Sequence, residues 1–310
     1  MSKNDDNRPN RQTQGILHLQ GTACLAPIFL CILFGASPVA VKLTLTGLGP
    51  FTSAGVRFSM ALPVIWLWAI FTGQSFRIPR KHILDIIFIS LIFTTQMSCY
   101  YKGISSSTAS RSILIVNFQP FLVLFLAHFF IPGERITLKN FLGITLGFSG
   151  ICFLFLKKNA LVSDFHHGDL ITLLSALCWA ANIIYTKLVL KNLQPFHTVL
   201  YPMAISIPFF FLAGFLWDDF MITKTGPKVL GALLYQVLIV TAFGFVTWNA
   251  LLKKYGPGAL NTFFFILPVA GVFFGGLILN EPITLKMLIA LLFIVSGIIV
   301  VQFRTGNKVR

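Results

Sequence analysis

Residues 107–139, STASRSILIVNFQPFLVLFLAHFFIPGERITLK, are answered further along the chain by residues 256–286, GPGALNTFFFILPVAGVFFGGLILNEPITLK. Each stretch opens on small and polar residues, runs apolar past a single proline, and closes on a turn acid followed by the same ITLK. A shift of 147 residues lays Ile136-Thr137-Leu138-Lys139 on Ile283-Thr284-Leu285-Lys286, and Ser149-Gly150-Ile151 on Ser296-Gly297-Ile298. A shift of 145 lays Phe34-Gly35-Ala36-Ser37 on Trp179-Ala180-Ala181-Asn182, Lys42 on Lys187, and Pro50-Phe51 on Pro195-Phe196. Pro120 meets Pro268 with a one-residue slip. Chance supplies one such match, not an ordered series, so the chain is read as two copies of one unit.

Composition says what that unit is made of. Hydrophobic residues fill 56% of the 310 positions and charged residues only 11%, with 33 Phe among them; mean hydropathy is +0.82. A soluble domain carries about 25% charge to keep its surface wet, so this chain needs a lipid-facing surface instead. A span takes roughly 20 mostly apolar residues. On that rule spans fall at 22–43, 51–72, 82–102, 107–131, 138–157, 168–189, 196–217, 229–251, 257–280 and 284–303. The expected fold is an all-α integral membrane protein of ten transmembrane helices, arranged as two five-helix repeats at 22–157 and 168–303. Residues 1–21 form a polar tail expected to be disordered and cytoplasmic, and 304–310 a second cytoplasmic tail. The first apolar run is read as a span rather than a cleaved signal, because many more follow it.

Of the 24 Lys and Arg, fifteen fall on the side that holds the N-terminus and seven on the other, with Arg57 and Arg111 inside spans. Positive charge gathers in cytoplasmic loops, so both termini are expected to be cytoplasmic, in a cell (inner) membrane. Basic residues scattered over connectors make no stripe for nucleic acid. Five is odd, so the second copy enters the membrane from the opposite side. Such inverted-topology repeats are the architecture of many secondary transporters, with the substrate near the midplane between halves.

These residues resemble the drug/metabolite transporter superfamily, in particular its EamA-type ten-helix members. The resemblance is carried by LFGASPVAVK (33–42), PFTSAGVRF (50–58), the stretch from Ser107 to Gly143, and the 256–286 counterpart. It spans 22–303 and implies the fold and transport, the cargo ranging over amino acids, other metabolites, nucleotide sugars and drugs. The second copy departs at the turn, with Asn280-Glu281-Pro282 where the first has Gly133-Glu134-Arg135.

Several residues are candidates to line a substrate path. Ser107, Thr108, Arg111 and Gln119 share an arc of about 120° on one helix. Arg111 reads either as a binder of a substrate carboxylate or as a structural Arg bonded to backbone carbonyls. Ser175, Trp179, Asn182 and Thr186 form a polar stripe at helical spacing, which suits either substrate lining or interhelical bonding. Gln96 with Tyr100, Asn261 with Phe264, and Trp248 with Asn249 are further path candidates, each equally a packing contact. Arg57 is read as a packing or orienting residue. Pro120 and Pro268 should kink equivalent helices, as gates or as static bends. Gly143 with Gly147 and Gly271 with Gly275 allow close helix approach, more for internal packing than for dimerisation.

Other chemistries find little support. The five Cys, with no CxxC, read as apolar packing residues; no metal site, cofactor or Walker motif is expected. The nine acids lie in tails, connectors or span ends, with none at mid-membrane. His128 reads as a structural intramembrane histidine. The nearest approach to a catalytic cluster, His166-His167 with Asp164 and Asp169, reads as solvated connector, so an enzyme is not expected; a channel is the other rival. The leading expectation is a secondary transporter, an exporter or exchanger of small polar or amphipathic metabolites such as amino acids. Drug efflux is the alternative. Its partners would be a small-molecule substrate and the lipid bilayer, the chain acting as monomer or homodimer.

Overall fold

Helices follow the apolar runs. The computed structural model describes residues 24–132, 135–155, 167–189, 196–244, 247–248, 251, 260 and 263–302; both predicted tails fall outside them. The first copy contributes α1 (Leu25–Thr44), α2 (Pro50–Phe71), α3 (Ile83–Ser105), α4 (Ala109–Val116), α5 (Gln119–Phe130) and α6 (Leu138–Phe155). The second contributes α7 (His167–Val189), α8 (His197–Trp217), α9 (Pro227–Leu234), a π-helical continuation over Tyr235–Gly244, α10 (Ile266–Leu279) and α11 (Leu285–Gln302). Among the described residues there is no strand, only an isolated bridge between Leu48 and Ile222.

Among the described residues, seven segments are long and apolar enough to cross a membrane by length and composition: Leu25–Thr44, Pro50–Phe71, Arg80–Ser105, Ala109–Phe130, His167–Val189, His197–Trp217 and Pro227–Gly244. Leu138–Leu154, Ile266–Leu279 and Leu285–Val301 are apolar but shorter. Phe125, Phe129, Phe130, Phe215 and Phe273 stand exposed on the outside, a surface that suits lipid and not water.

The packing is mirrored between copies. α2 pairs with α8, and α6 with α11. α1 lies on α10 as α7 lies on α4 and α5, and α3 lies on α7 as α9 and its π-helical continuation lie on α1. Two buried clusters hold these pairs. One gathers Phe58, Tyr101, Phe210 and Val237, the other Leu114, Phe121, Leu154 and Ile294.

Two predicted helices are interrupted. The expected continuous span 107–131 breaks after Val116: Phe118 N–H bonds Ile115 O at 3.0 Å and Phe121 N–H bonds Phe118 O at 3.1 Å, a tight i→i+3 turn. Pro120 then sits at the start of α5, where a missing N–H costs nothing. The second copy does the same ahead of Pro268, with Ile266 N–H on Phe263 O at 3.0 Å and Leu267 N–H on Phe264 O at 3.1 Å. The prolines therefore mark helix breaks rather than bends in continuous helices. The π-helical stretch in the predicted eighth span has no signature in the hydrophobic pattern.

The small-residue pairs are consumed inside the bundle. Gly143 faces Gly297 and Val301, Gly147 faces the Phe121 ring, Gly271 faces Ile113 and Gly275 faces Ser110. A Cβ at Gly147 would overlap the buried Phe121 ring. Gly147→Leu is therefore expected to cost about 1–3 kcal/mol, lowering the melting temperature in detergent while leaving the elution volume, and hence the oligomeric state, unchanged.

Candidate substrate cavity

The helix breaks open a space. Irregular backbone at membrane depth is tolerated where it is buried in protein or lines a cavity, and both broken segments border one cavity of about 330 Å³. Its wall draws on both copies. Ser37 and Phe34 come from α1, Arg57 from α2, Gln96 and Tyr100 from α3, and Asn117, Gln119 and Pro120 from the first break; Ser175 and Trp179 come from α7, with Trp248 and Phe264 opposite. Trp248 and Phe264 stack with ring centroids 5.3 Å apart and planes 19° apart, and Phe34 meets Trp248 edge-on at 6.0 Å.

Among the described lining residues the charged one is Arg57. Its Nη1 donates to the Tyr101 hydroxyl at 3.3 Å, and that hydroxyl donates to Gln236 Oε1 at 3.1 Å. Tyr101 and Gln236 are fully buried, so the chain of bonds ties the copies together behind the wall. Arg57 Nε is buried and has no hydrogen-bond partner among the described residues.

Arg111 sits elsewhere. Its Nε donates to Asp169 Oδ2 at 3.1 Å and its Nη2 to the same oxygen at 2.5 Å, while Ser107 Oγ donates to Asp169 Oδ1. Asp169 is completely buried, which corrects its reading as part of a solvated connector. Arg111 thus has a carboxylate of this chain as a partner, which neither reading from sequence supplied, and it does not line the cavity.

Of the other path candidates, Gln96, Tyr100, Gln119, Ser175 and Trp179 line the cavity, and Ser175 also donates to Gln96 O at 2.8 Å. Asn182 lines an adjoining space of about 520 Å³ with Thr186, Lys187 and Thr198. That space shares Gln96, Met97 and Trp179 with the first, so the α7 stripe follows a path from the cavity toward the α7 C-terminus. Thr186 Oγ1 bonds Asn182 Oδ1 at 3.1 Å. Asn261 and Asn249 lie outside the described residues. Arg57 is the residue that pattern reading placed elsewhere. The available signal was a mid-span Arg whose counterpart in the other copy is Pro202.

The opposite end of the bundle is clasped. Helix starts leave N–H groups without intrahelical partners, and the second copy supplies acceptors for those of the first. Asp218 accepts from Phe51 N–H at 3.2 Å, Thr52 N–H at 2.9 Å and Thr52 Oγ1 at 2.8 Å, at the start of α2. Glu281 accepts from Ala109 N–H at 2.6 Å, Ser110 N–H at 2.8 Å and Ser110 Oγ at 2.6 Å, at the start of α4. Asn280, in the left-handed region at φ 53°, ends α10 and aims Glu281 there; Asn adopts that region more readily than most residues. Lys42 Nζ donates to the last carbonyls of α3, Ile104 O at 2.8 Å and Ser105 O at 3.1 Å, and to Ser107 O just beyond it.

The sequence model of the EamA-like transporter family matches residues 21–156 and again 166–303. The uncharacterized transporter YoaV of Bacillus subtilis is 23% identical over 286 residues, covering 92% of this chain and 98% of that one. A protein of Salmonella typhimurium named as a probable amino-acid metabolite efflux pump is 26% identical, covering 91% and 95%. One of Escherichia coli with the same name is 26% identical, covering 89% and 93%. A protein solved by crystallography superposes with a TM-score of 0.62 at 18% identity, over 89% of this chain and 95% of that one, a likeness of fold.

Removing Glu281 tests the clasp. Glu281→Ala strips three donors of their acceptor, at about 1–3 kcal/mol for each buried group left unsatisfied. It should lower the melting temperature and raise the rate at which an impermeant maleimide, applied from the clasped side, labels a Ser37→Cys chain otherwise free of cysteine. Glu281→Gln, which keeps one acceptor oxygen, should fall between the two.

Proposed function

The chain belongs to the EamA-like transporter family, and from that membership we propose that it is a secondary transporter working by alternating access. The observation that carries the proposal is the cavity between the copies, joined to a path at one end of the bundle and clasped by inter-copy bonds at the other. The membrane-crossing count is ten, in two inverted five-helix copies, with the shorter apolar helices completing the set. Both termini are cytoplasmic and the membrane is a bacterial-type inner membrane. On that orientation the clasped end is external and the path from Trp179 to Lys187 and Thr198 leads inward, so the arrangement is an inward-facing one.

Inversion gives this asymmetry its use. The copies differ in orientation and share one scheme of helix pairing, so corresponding helix pairs stand at both ends. Rocking one copy against the other exchanges which end is shut. The cargo is a small polar or amphipathic metabolite such as an amino acid, exported or exchanged; the relatives named as amino-acid metabolite efflux pumps support that class. The aromatic wall of Trp179, Trp248 and Phe264 supports drug efflux as the second reading. The family and relatives' names speak for a transporter over a membrane-embedded enzyme. The functional unit is a monomer, because the small-residue pairs that would serve a dimer face helices of the same chain.

The test is counterflow. Purified chain in liposomes preloaded with an unlabelled amino acid identified from the medium of over-expressing cells should accumulate the labelled form transiently and saturably. Flux that rises linearly with concentration and carries current would instead identify a pore.

A further inference from the structure

Resting on the carrier reading, we propose that Arg57 is the anion anchor of the cavity, and that its ligand class is a carboxylate-bearing metabolite with a flat apolar body. Arg57 is the cavity's one charged lining residue among those described. Its Nε meets no described partner, its Nη1 meets a neutral phenol and its Cζ lies 5.5 Å from the Phe58 ring centroid, so no described carboxylate balances its charge. A buried ion needs an opposite charge and filled hydrogen bonds. The other intramembrane arginine already has its counter-ion in Asp169, which accepts from its Nε and Nη2. The planar guanidinium fork matches a carboxylate bidentately, and the group that completes Arg57 is therefore the ligand's own anion.

The remaining wall describes the rest of the ligand. Trp248 and Phe264 lie nearly parallel and, with Phe34 set edge-on to Trp248, give one side of the cavity flat apolar surface. Aromatic rings favour offset-stacked or edge-on neighbours, so a planar body packs there better than a globular one. The side-chain amides of Gln96 and Gln119 border the same space and can take polar substituents. No lining acid among the described residues attracts an organic cation.

The experiment compares 3-phenylpropanoate with its neutral isostere 3-phenylpropanamide on the purified full chain in detergent at neutral pH. Binding is read by quenching of tryptophan fluorescence, since Trp179 and Trp248 border the cavity, and by thermal shift. The wild type should bind the anion at least about tenfold more tightly than the amide. Arg57→Gln should lose that preference while still binding the amide, and Arg57→Lys should keep a reduced preference. Equal binding of the two probes, binding of neither, or an unchanged preference in Arg57→Gln would overturn the assignment. Should Arg57→Gln fail to fold, the wild-type ratio and the Arg57→Lys reduction decide it. Saturable counterflow without anion preference defeats this inference alone; anion preference without counterflow defeats the carrier reading alone.

Discussion

Backbone groups at helix ends have to be satisfied, and in a lipid-facing bundle little water is at hand to do it. At one end of this molecule that requirement is met across the copies. The opening N–H groups of α2 and α4 belong to the first copy, and their acceptors, Asp218 and Glu281, belong to the second. Neither helix is complete without the other half of the chain. Because each carboxylate takes three donors, and a helix N-terminus favours negative charge, these contacts close the end and orient the copies together. Glycines allow that closeness: Gly275 lies against Ser110 and the Glu281 carboxylate, and Gly214 against Thr52 and Asp218.

The cavity follows from a complementary feature, backbone left irregular where it does not meet lipid. The turns before Pro120 and Pro268 interrupt equivalent helices of the two copies, and the π-helical stretch over Tyr235–Gly244 shifts the register of a third. π-helical turns are often found at functional sites. All three border the same space, with Gln119, Phe264 and Val240 among its lining. The path beyond it runs along α7, whose polar stripe is interrupted by no charge until Lys187.

The two intramembrane arginines illustrate how far a one-dimensional pattern reaches. Both are legible as anomalies, a guanidinium inside an apolar run. Arg111 shares a helical arc with other polar residues and so looks like the cavity's charge. Asp169, which it pairs with, lies 58 positions away and reads in sequence as part of a polar connector. Arg57 has apolar neighbours in sequence and so looks like packing, yet it faces the open space. Arcs and spacings place residues on one helix; they carry no information on what the neighbouring helix brings up to that face.

Sequence by itself determined the membrane setting, the two copies and the small-residue faces, because hydropathy, repetition and residue size are local properties that add along the chain. It also marked both prolines and the polar stripe of Ser175, Trp179, Asn182 and Thr186. Tertiary structure alone decided that Asp218 and Glu281 close one end, that Asp169 pairs with Arg111, that the prolines stand at breaks, and that Arg57 rather than Arg111 borders the cavity. Apart from the proline breaks, which are local i→i+3 turns, each of those depends on a contact between residues from different copies or distant helices. Whether a buried charge is neutralised or left for a ligand is a property of that pairing, and the linear order of residues does not contain it.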